Sequence, residues 1–512
     1  MRVPLTVDDF LYRAEAVSAQ AVAIVDEPVQ PATPVRTTTY ADLLTRIRAW
    51  QAGLDALGVG ESERVAVVSQ NAARLLELMY AVPSSGRICV PVNFRLRGEE
   101  VDYIVRQSGA SALFVDPELD ESLKIVRAPH RFVLGGETDE HVMRFDIAPR
   151  EWSDPHEDAT ATINYTSGTT ARPKGVQITH RNIWVNAMSF GMHLRLWERD
   201  VYLHTLPMFH ANGWGLPYPL AGLGVRQVVL RKVDGAEILH RVDEHGVTVM
   251  CGAPAVWKAV LDAAVTWDGE VPGRGRVRIV CAGAPPPTRM IQRIEEELGW
   301  EFIQIYGLTE TSPIVTFNRT RPADTALPAA QRAGRLGRAG APALGVQVKI
   351  SPVGEVLVRS NVVLDRYWDN PDATTEALAN GWFHTGDGGT IDDEGHLTIS
   401  DRKKDVIITG GENVSSIEVE DCISHLPEVA EVAVIGVPDE KWGETIKALV
   451  VPTPGTEITE KDVIAHCKQR LAGFKAPTTV EFRDTIPRTA TGKIQKFKLR
   501  EPYWAGHRRG VN

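Results

Sequence analysis

The stretch "NYTSGTTARPKGVQITH", residues 164–180, packs hydroxyls, two glycines, a proline and a lysine between two short apolar runs. A P-loop would follow the pattern G-x-x-x-x-G-K-[ST] and open a helix. Here Pro173 takes the place of the second glycine, and "GVQITH" after Lys174 has the texture of a strand. The segment is therefore expected to be a loop between two strands, which sets the chain apart from P-loop folds. Its chemistry still suits phosphate. Gly168 lets backbone N–H groups approach an anion, Thr166, Ser167, Thr169 and Thr170 offer hydroxyls, and Lys174 adds a point charge. A Ser/Thr-rich surface turn has the same composition, so the company the loop keeps must decide.

Upstream, "YADLLTRIRAWQAGLDALGV" (40–59) sets Leu43, Leu44, Ile47, Trp50, Leu54 and Leu57 at helical spacing. "RVAVVS" (64–69) follows as a buried strand, and Asn71 is expected to begin the next helix, "AARLLELMYAV". "RICVPVN" (87–93) and "ALFVD" (112–116) continue the alternation, which returns downstream at "RQVVL" (226–230), "VTVMCG" (247–252), "VRIVCAG" (277–283) and "EFIQIYG" (301–307). Strands alternating with amphipathic helices imply mostly parallel sheets covered on both faces. Residues 321–345, rich in Ala, Gly, Pro and Arg, are expected to form a loop into a β-rich segment, "VQVKISPVGEVLVRS". Near residue 401 a charge cluster, a strand, a glycine pair and a helix start mark a separate α+β unit of about 110 residues. The expected organisation is a large α/β N-terminal domain (1–401) with a β-rich subdomain, a hinge (402–406) and a small mobile C-terminal domain (407–512).

A chain of 512 residues is long enough for two or three domains. Its formal charge of −10 argues against nucleic acid as a partner, while leaving room for a local basic pocket. Five cysteines without paired spacing form neither a disulfide framework nor a zinc site, and suit a reducing cytosol. The N-terminus lacks the apolar core of a secretory signal, and no apolar run reaches membrane-spanning length, so a cytoplasmic protein without integral membrane association is expected.

Four further stretches accompany the loop in order: "PMFHANGWG" (207–215), "IQIYGLTETSP" (303–313), "GWFHTGDGGTIDDEGHLTISDRKKDVIITGGENV" (381–414) and "PRTATGKIQK" (487–496). Together these resemble the adenylate-forming superfamily of acyl-CoA synthetases, peptide-synthetase adenylation domains and luciferases, and the chain looks most like bacterial fatty acyl-CoA ligases. The resemblance implies ATP, Mg2+ and coenzyme A as co-substrates or cofactors, and a two-step reaction. ATP and a carboxylic acid give an acyl-adenylate and pyrophosphate, and the CoA thiol then displaces AMP.

The same resemblance assigns roles. Lys493 corresponds to the catalytic lysine between substrate carboxylate and α-phosphate, where positive charge must gather as the phosphorus becomes pentacoordinate. Glu310 is the magnesium carboxylate, joined by Thr166, with Thr309 on the phosphate. Tyr306 lies against adenine, with Gly283, Ala284 and Pro285 on its other face and Gln304 near the base edge. Asp387 and Arg402 would hold the ribose. Lys404 is the hinge, and Gly410 and Gly411 would let the pantetheine arm of CoA pass. His210 stands near the adenylate carbonyl, between the acyl and ATP sites. Ala211, Asn212, Gly213, Trp214, Gly307 and Leu308 would face the acyl group. Trp214 either caps the acyl tunnel or points into the core, where it says nothing about chain length. No charged residue stands out at these positions, which favours an apolar acid of medium chain length with some breadth.

Two other outcomes keep the adenylate chemistry or lose it: an acyl-AMP ligase that loads a carrier protein or another nucleophile, and a nucleotide-binding homologue without catalysis. A homodimer is one assembly the resemblance allows.

Overall fold

The computed structural model describes residues 1–166, 173–402, 405–410, 412–439, 441–489 and 493–505. Two mostly parallel sheets form the body. One runs, edge to edge, through Arg366–Tyr367, Lys174–Thr179, Thr160–Thr166, Ile88–Val92, Arg64–Val68, Ala110–Val115 and His130–Val133. The other has nine strands and is parallel from Val22–Val25 across Arg226–Val229, Val201–His204, Val249–Gly252 and Arg278–Cys281 to Glu301–Gly307. Strands such as Ile88–Val92, buried at every position, lie covered on both faces and so read as unbroken apolar runs.

The helix Tyr40–Ala56 starts at a capping box. The Asp42 N–H donates to Thr39 Oγ1 (3.2 Å), and the Thr39 N–H donates to Asp42 Oδ2 (3.0 Å). Its apolar stripe, Leu43, Leu44, Ile47, Trp50 and Leu54, is buried as expected.

The next helix corrects the sequence reading. It spans Ala73–Ala81, and the carboxylate of Asp26, not Asn71, accepts the N–H of Ala73 at 2.9 Å. Asn71 instead donates to the carbonyls of His204, Leu206 and Leu230 and accepts the Met208 N–H at 2.8 Å. One buried amide thus pins the start of the segment that leads to His210. A second correction concerns 321–345, which carries a helix, Ala329–Leu336, with Ala333 and Leu336 buried. Alanine, leucine and arginine favour helix strongly enough to outweigh the flanking Gly and Pro.

A four-stranded antiparallel sheet (Val346–Ile350, Glu355–Ser360, Phe383–Ile391, Leu397–Arg402) forms the β-rich part. The C-terminal unit is a sheet with helices Ser416–Ser424 and Glu460–Arg470 on one face and Lys496–Trp504 on the other. Its long strand Val429–Asp439 alternates accordingly: Val434 packs with the first pair, while Ala433, Ile435 and Val437 pack with the last helix.

Candidate active site

Open α/β sheets place ligands beyond the carboxyl ends of their parallel strands. In the nine-stranded sheet, the ends of Val201–His204, Arg278–Cys281 and Glu301–Gly307 deliver three of the predicted segments to the same end of the sheet, with Val249–Gly252 between the first two strands: 207–215, 283–285 and 306–310.

At the phosphate loop, Thr160–Thr166 and Lys174–Thr179 pair as an antiparallel hairpin with Thr166 opposite Lys174. The loop is therefore a strand-to-strand connection, as its sequence implied. Ser167, Gly168, Thr169 and Thr170 lie outside the described residues. The Lys174 ammonium sits 5.2 Å from the centre of the Tyr367 ring. The Tyr367 hydroxyl in turn donates to Glu310 Oε1 at 3.0 Å, and burial followed by the Glu310 charge pushes the Tyr367 phenol up. Tyr367 therefore links the base of the phosphate loop to the carboxylate expected to carry metal. Sequence reasoning missed it, since "RYW" has no motif character.

On the nucleoside side, the Tyr306 hydroxyl donates to Asp387 Oδ2 at 2.7 Å, which brings the expected adenine and ribose groups together. Asp387 stands opposite Arg402 across the antiparallel pair, while the Arg402 side chain falls outside the description. Gln304 is buried, and its Oε1 has no hydrogen-bond partner among the described residues. A buried acceptor without a donor suits the exocyclic amine of a purine. Gly283 adopts a φ of 91°, and with Ala284 and Pro285 it forms the turn beyond Cys281. Gly307 leaves no choice of residue, because a Cβ there would fall inside the Pro313 carbonyl. Thr309 and Glu310 open the short 3-10 turn that follows.

Residues 211–215 form a tight left-handed turn, with φ of 37°, 47°, 61°, 54° and 71°. Three of these five residues carry side chains, and such conformations cost roughly 1–3 kcal/mol each unless the surroundings impose them. Trp214 is buried within the apolar cluster that includes Phe190, Leu194, Tyr202, Leu206 and Leu216. Its indole thus takes the core option. Asn212 Oδ1 accepts from Thr162 Oγ1 at 3.4 Å, and Asn186 lies against Gly215.

His210 directly precedes this turn, and burial together with the Lys493 charge lowers its pKa to about 3. It is a neutral ring near pH 7, able to offer one donor and one acceptor but unfit as a base. The Lys493 charge thus acts on His210, and the two modules touch directly where the Thr288 N–H donates to Asp421 Oδ1 at 2.9 Å. The backbone of Lys493 is held by Thr489, N–H to Oγ1 at 3.1 Å and carbonyl to N–H at 2.7 Å.

Two nearby cations of the tail are structural. Lys496 pairs with Glu420 (2.8 Å) and Arg500 with Asp405 (2.5 Å). Gly410, with a φ of 59°, lies under the Trp442 ring, 2.9 Å from where its Cβ would be. Gly411 and the expected hinge residue Lys404 lie outside the described residues. Among the described residues no group of three or more His, Cys, Asp or Glu side chains could hold a metal by itself, and no helix is long and apolar enough to cross a membrane.

Comparison with known proteins adds independent findings. The AMP-binding enzyme family matches residues 11–368, and the AMP-binding enzyme C-terminal domain matches 418–493. A Humulus lupulus protein named as a 2-methylpropanoate–CoA ligase is 36% identical, covering 97% of this chain and 95% of its own. An Arabidopsis thaliana protein named "Probable acyl-activating enzyme 5, peroxisomal" is also 36% identical, over 97% of this chain and 96% of its own. Among solved structures, an anthranilate CoA ligase in complex with anthranoyl-AMP superposes with a TM-score of 0.87 at 27% identity, covering 98% of this chain and 99% of that one.

Proposed function

Because the chain belongs to the AMP-binding enzyme family and is an AMP-forming acyl-CoA synthetase, we propose that it works by docking and withdrawing Lys493. ATP and CoA are its co-substrates. In the first step the acid's carboxylate attacks the α-phosphorus and pyrophosphate leaves. Lys493 reaches across to neutralise the carboxylate and α-phosphate oxygens as charge gathers there. Tyr306, Gln304 and residues 283–285 hold the base, and Asp387 accepts from the ribose hydroxyls. Thr166 and Lys174 hold phosphate oxygens with the loop between them.

Glu310 offers a single carboxylate fixed by Tyr367. That donor set suits Mg2+, which takes one or two carboxylates and completes its shell with phosphate oxygens and water. Thr166 stands at the loop's mouth to join it. Such an ion would balance charge on the departing pyrophosphate.

In the second step the CoA thiol attacks the acyl carbonyl and AMP leaves. A lysine lying across the acyl carbonyl would obstruct the thiol, so the C-terminal unit turns about the segment holding Lys404. Gly410 and Gly411 then flank the pantetheine path.

The acid carries an uncharged tail, with medium-chain fatty acids first in order, because residues 210–215, 307 and 308 include no charge and His210 is neutral. The names of relatives extend the candidates to short branched and aromatic acids. Five buried, unpaired cysteines support action in a reducing compartment, the cytosol first.

The observation that carries this function is the Tyr306–Asp387 hydrogen bond (2.7 Å), which joins the expected adenine and ribose groups beyond the strand ends. Straight-chain, branched and aromatic acids should be compared by acid-dependent exchange of pyrophosphate into ATP, then by AMP release with CoA. Exchange with a medium-chain acid, and AMP release that requires free CoA, are expected. Exchange with no acid would contradict the ligase assignment; AMP release only with a loaded carrier protein would contradict the acceptor.

A further inference from the structure

One contact between the modules is built from few atoms and lies away from the reacting groups. Asp421, on the C-terminal helix Ser416–Ser424, accepts the Thr288 N–H at Oδ1 (2.9 Å) and the Thr288 hydroxyl at 3.1 Å, with Oδ2 at 3.3 Å. His425, one turn further along, places Nε2 3.3 Å from the same hydroxyl, while its Nδ1 lies 2.8 Å from the Asp421 carbonyl. With Nδ1 donating to that carbonyl, Nε2 is an acceptor that shares with Asp421 the single hydroxyl proton of Thr288, while the Thr288 N–H bond to Oδ1 is independent of that choice. Thr288 opens the helix that directly follows the 283–287 turn beside the expected adenine site. The carboxylate therefore ties the moving module to the rear of the nucleotide site.

We propose that Thr288 and Asp421, supported by His425, form a latch that holds the adenylate-forming arrangement and must open before the thiol can attack. This rests on the ligase function and domain alternation proposed above. The four residues involved divide cleanly: Asp421, His425 and Lys493 move together, and Thr288 stays with the body. A charge-assisted pair of hydrogen bonds fixes orientation as well as distance, so the latch sets where the Lys493 amine arrives. Asp421 touches neither substrate nor reacting atoms. It is a positioning residue, and its loss should weigh on one half-reaction alone.

Asp421→Asn keeps the size and removes the charge. It should slow pyrophosphate exchange about tenfold while leaving thioesterification of supplied acyl-AMP unchanged or faster. Loss of both half-reactions together, or of neither, overturns the latch. The double variant Thr288→Cys/Asp421→Cys, oxidised with diamide and freed of it, should still form adenylate but fail to transfer it to CoA for as long as the crosslink, followed on a non-reducing gel, survives the CoA thiol, and should recover once dithiothreitol opens it. Cys422, next to position 421 and in contact with Cys467, is replaced by serine in this background so that only the introduced pair can close. Thioester turnover by the crosslinked enzyme at the reduced enzyme's rate overturns the proposal. Energy transfer between one label on each module separates this idea from the function beneath it. The signal should fall in Asp421→Asn, and an unchanged signal counts against the latch whatever the catalytic result.

Discussion

Tyr367 gives the Glu310 carboxylate a fixed direction, and Lys174 gives Tyr367 its place. Tyr367→Phe keeps the ring under the ammonium and removes only the bond to Glu310. A hydrogen bond to a charged group is worth about 1.5–3 kcal/mol, so pyrophosphate exchange should fall roughly tenfold, with a higher magnesium requirement. Exchange that is unaffected across a magnesium titration would mean Glu310 needs no such support. Tyr367 could not be found from sequence because its partner lies 57 residues away on another element. Tyr306 and Asp387, by contrast, were legible as motif residues, although nothing in the motifs announces that they bond each other.

Histidine protonation gives a second test at this scale. Burial lowers the pKa of His180 and His210 to about 3 and of His204 to about 4. Their folded values lie below the unfolded one near 6.5. Between these limits the unfolded chain binds more protons, so stability is complete above about pH 6.5 and falls as pH drops toward 3. His204→Gln should flatten the stability-versus-pH curve between pH 4 and 6.5 by up to about 1.4 kcal/mol per pH unit. Equal slopes for the variant and the parent in urea melts would contradict a neutral buried ring.

Among elements, the left-handed turn at 211–215 shows where pattern reading stops. Composition left Trp214 free to face either the tunnel or the core; the reversed hand of the backbone sends it to the core. Trp214→Ala is accordingly expected to cost about 3–5 kcal/mol of stability, measured by denaturant unfolding, with little change in chain-length preference. A stable variant that accepts longer acids would place the indole in the tunnel after all. The strands were readable because parallel-sheet residues form continuous apolar runs. The helix start at Ala73 was not, because its capping carboxylate, Asp26, comes from a distant strand end while Asn71 is engaged elsewhere. Likewise 329–336 was masked by the glycines and prolines around it.

For the whole molecule, the change of texture near residue 401 marked two modules, and the motif order implied that both serve one reaction. What the sequence could not contain is their docking, in which Asp421 accepts from Thr288, a residue more than a hundred positions away. The same arrangement explains why "TGKIQK" matters as a unit. Lys496 and the nearby Arg500 anchor the tail through Glu420 and Asp405, leaving Lys493 to face the body.

The most direct measurement of this division of labour is Lys493→Ala assayed in each half-reaction. Adenylate formation should fall by at least about a hundredfold, while conversion of supplied acyl-AMP to thioester stays within roughly threefold of the parent. Equal loss of both steps, or undiminished activation of the acid, would contradict it.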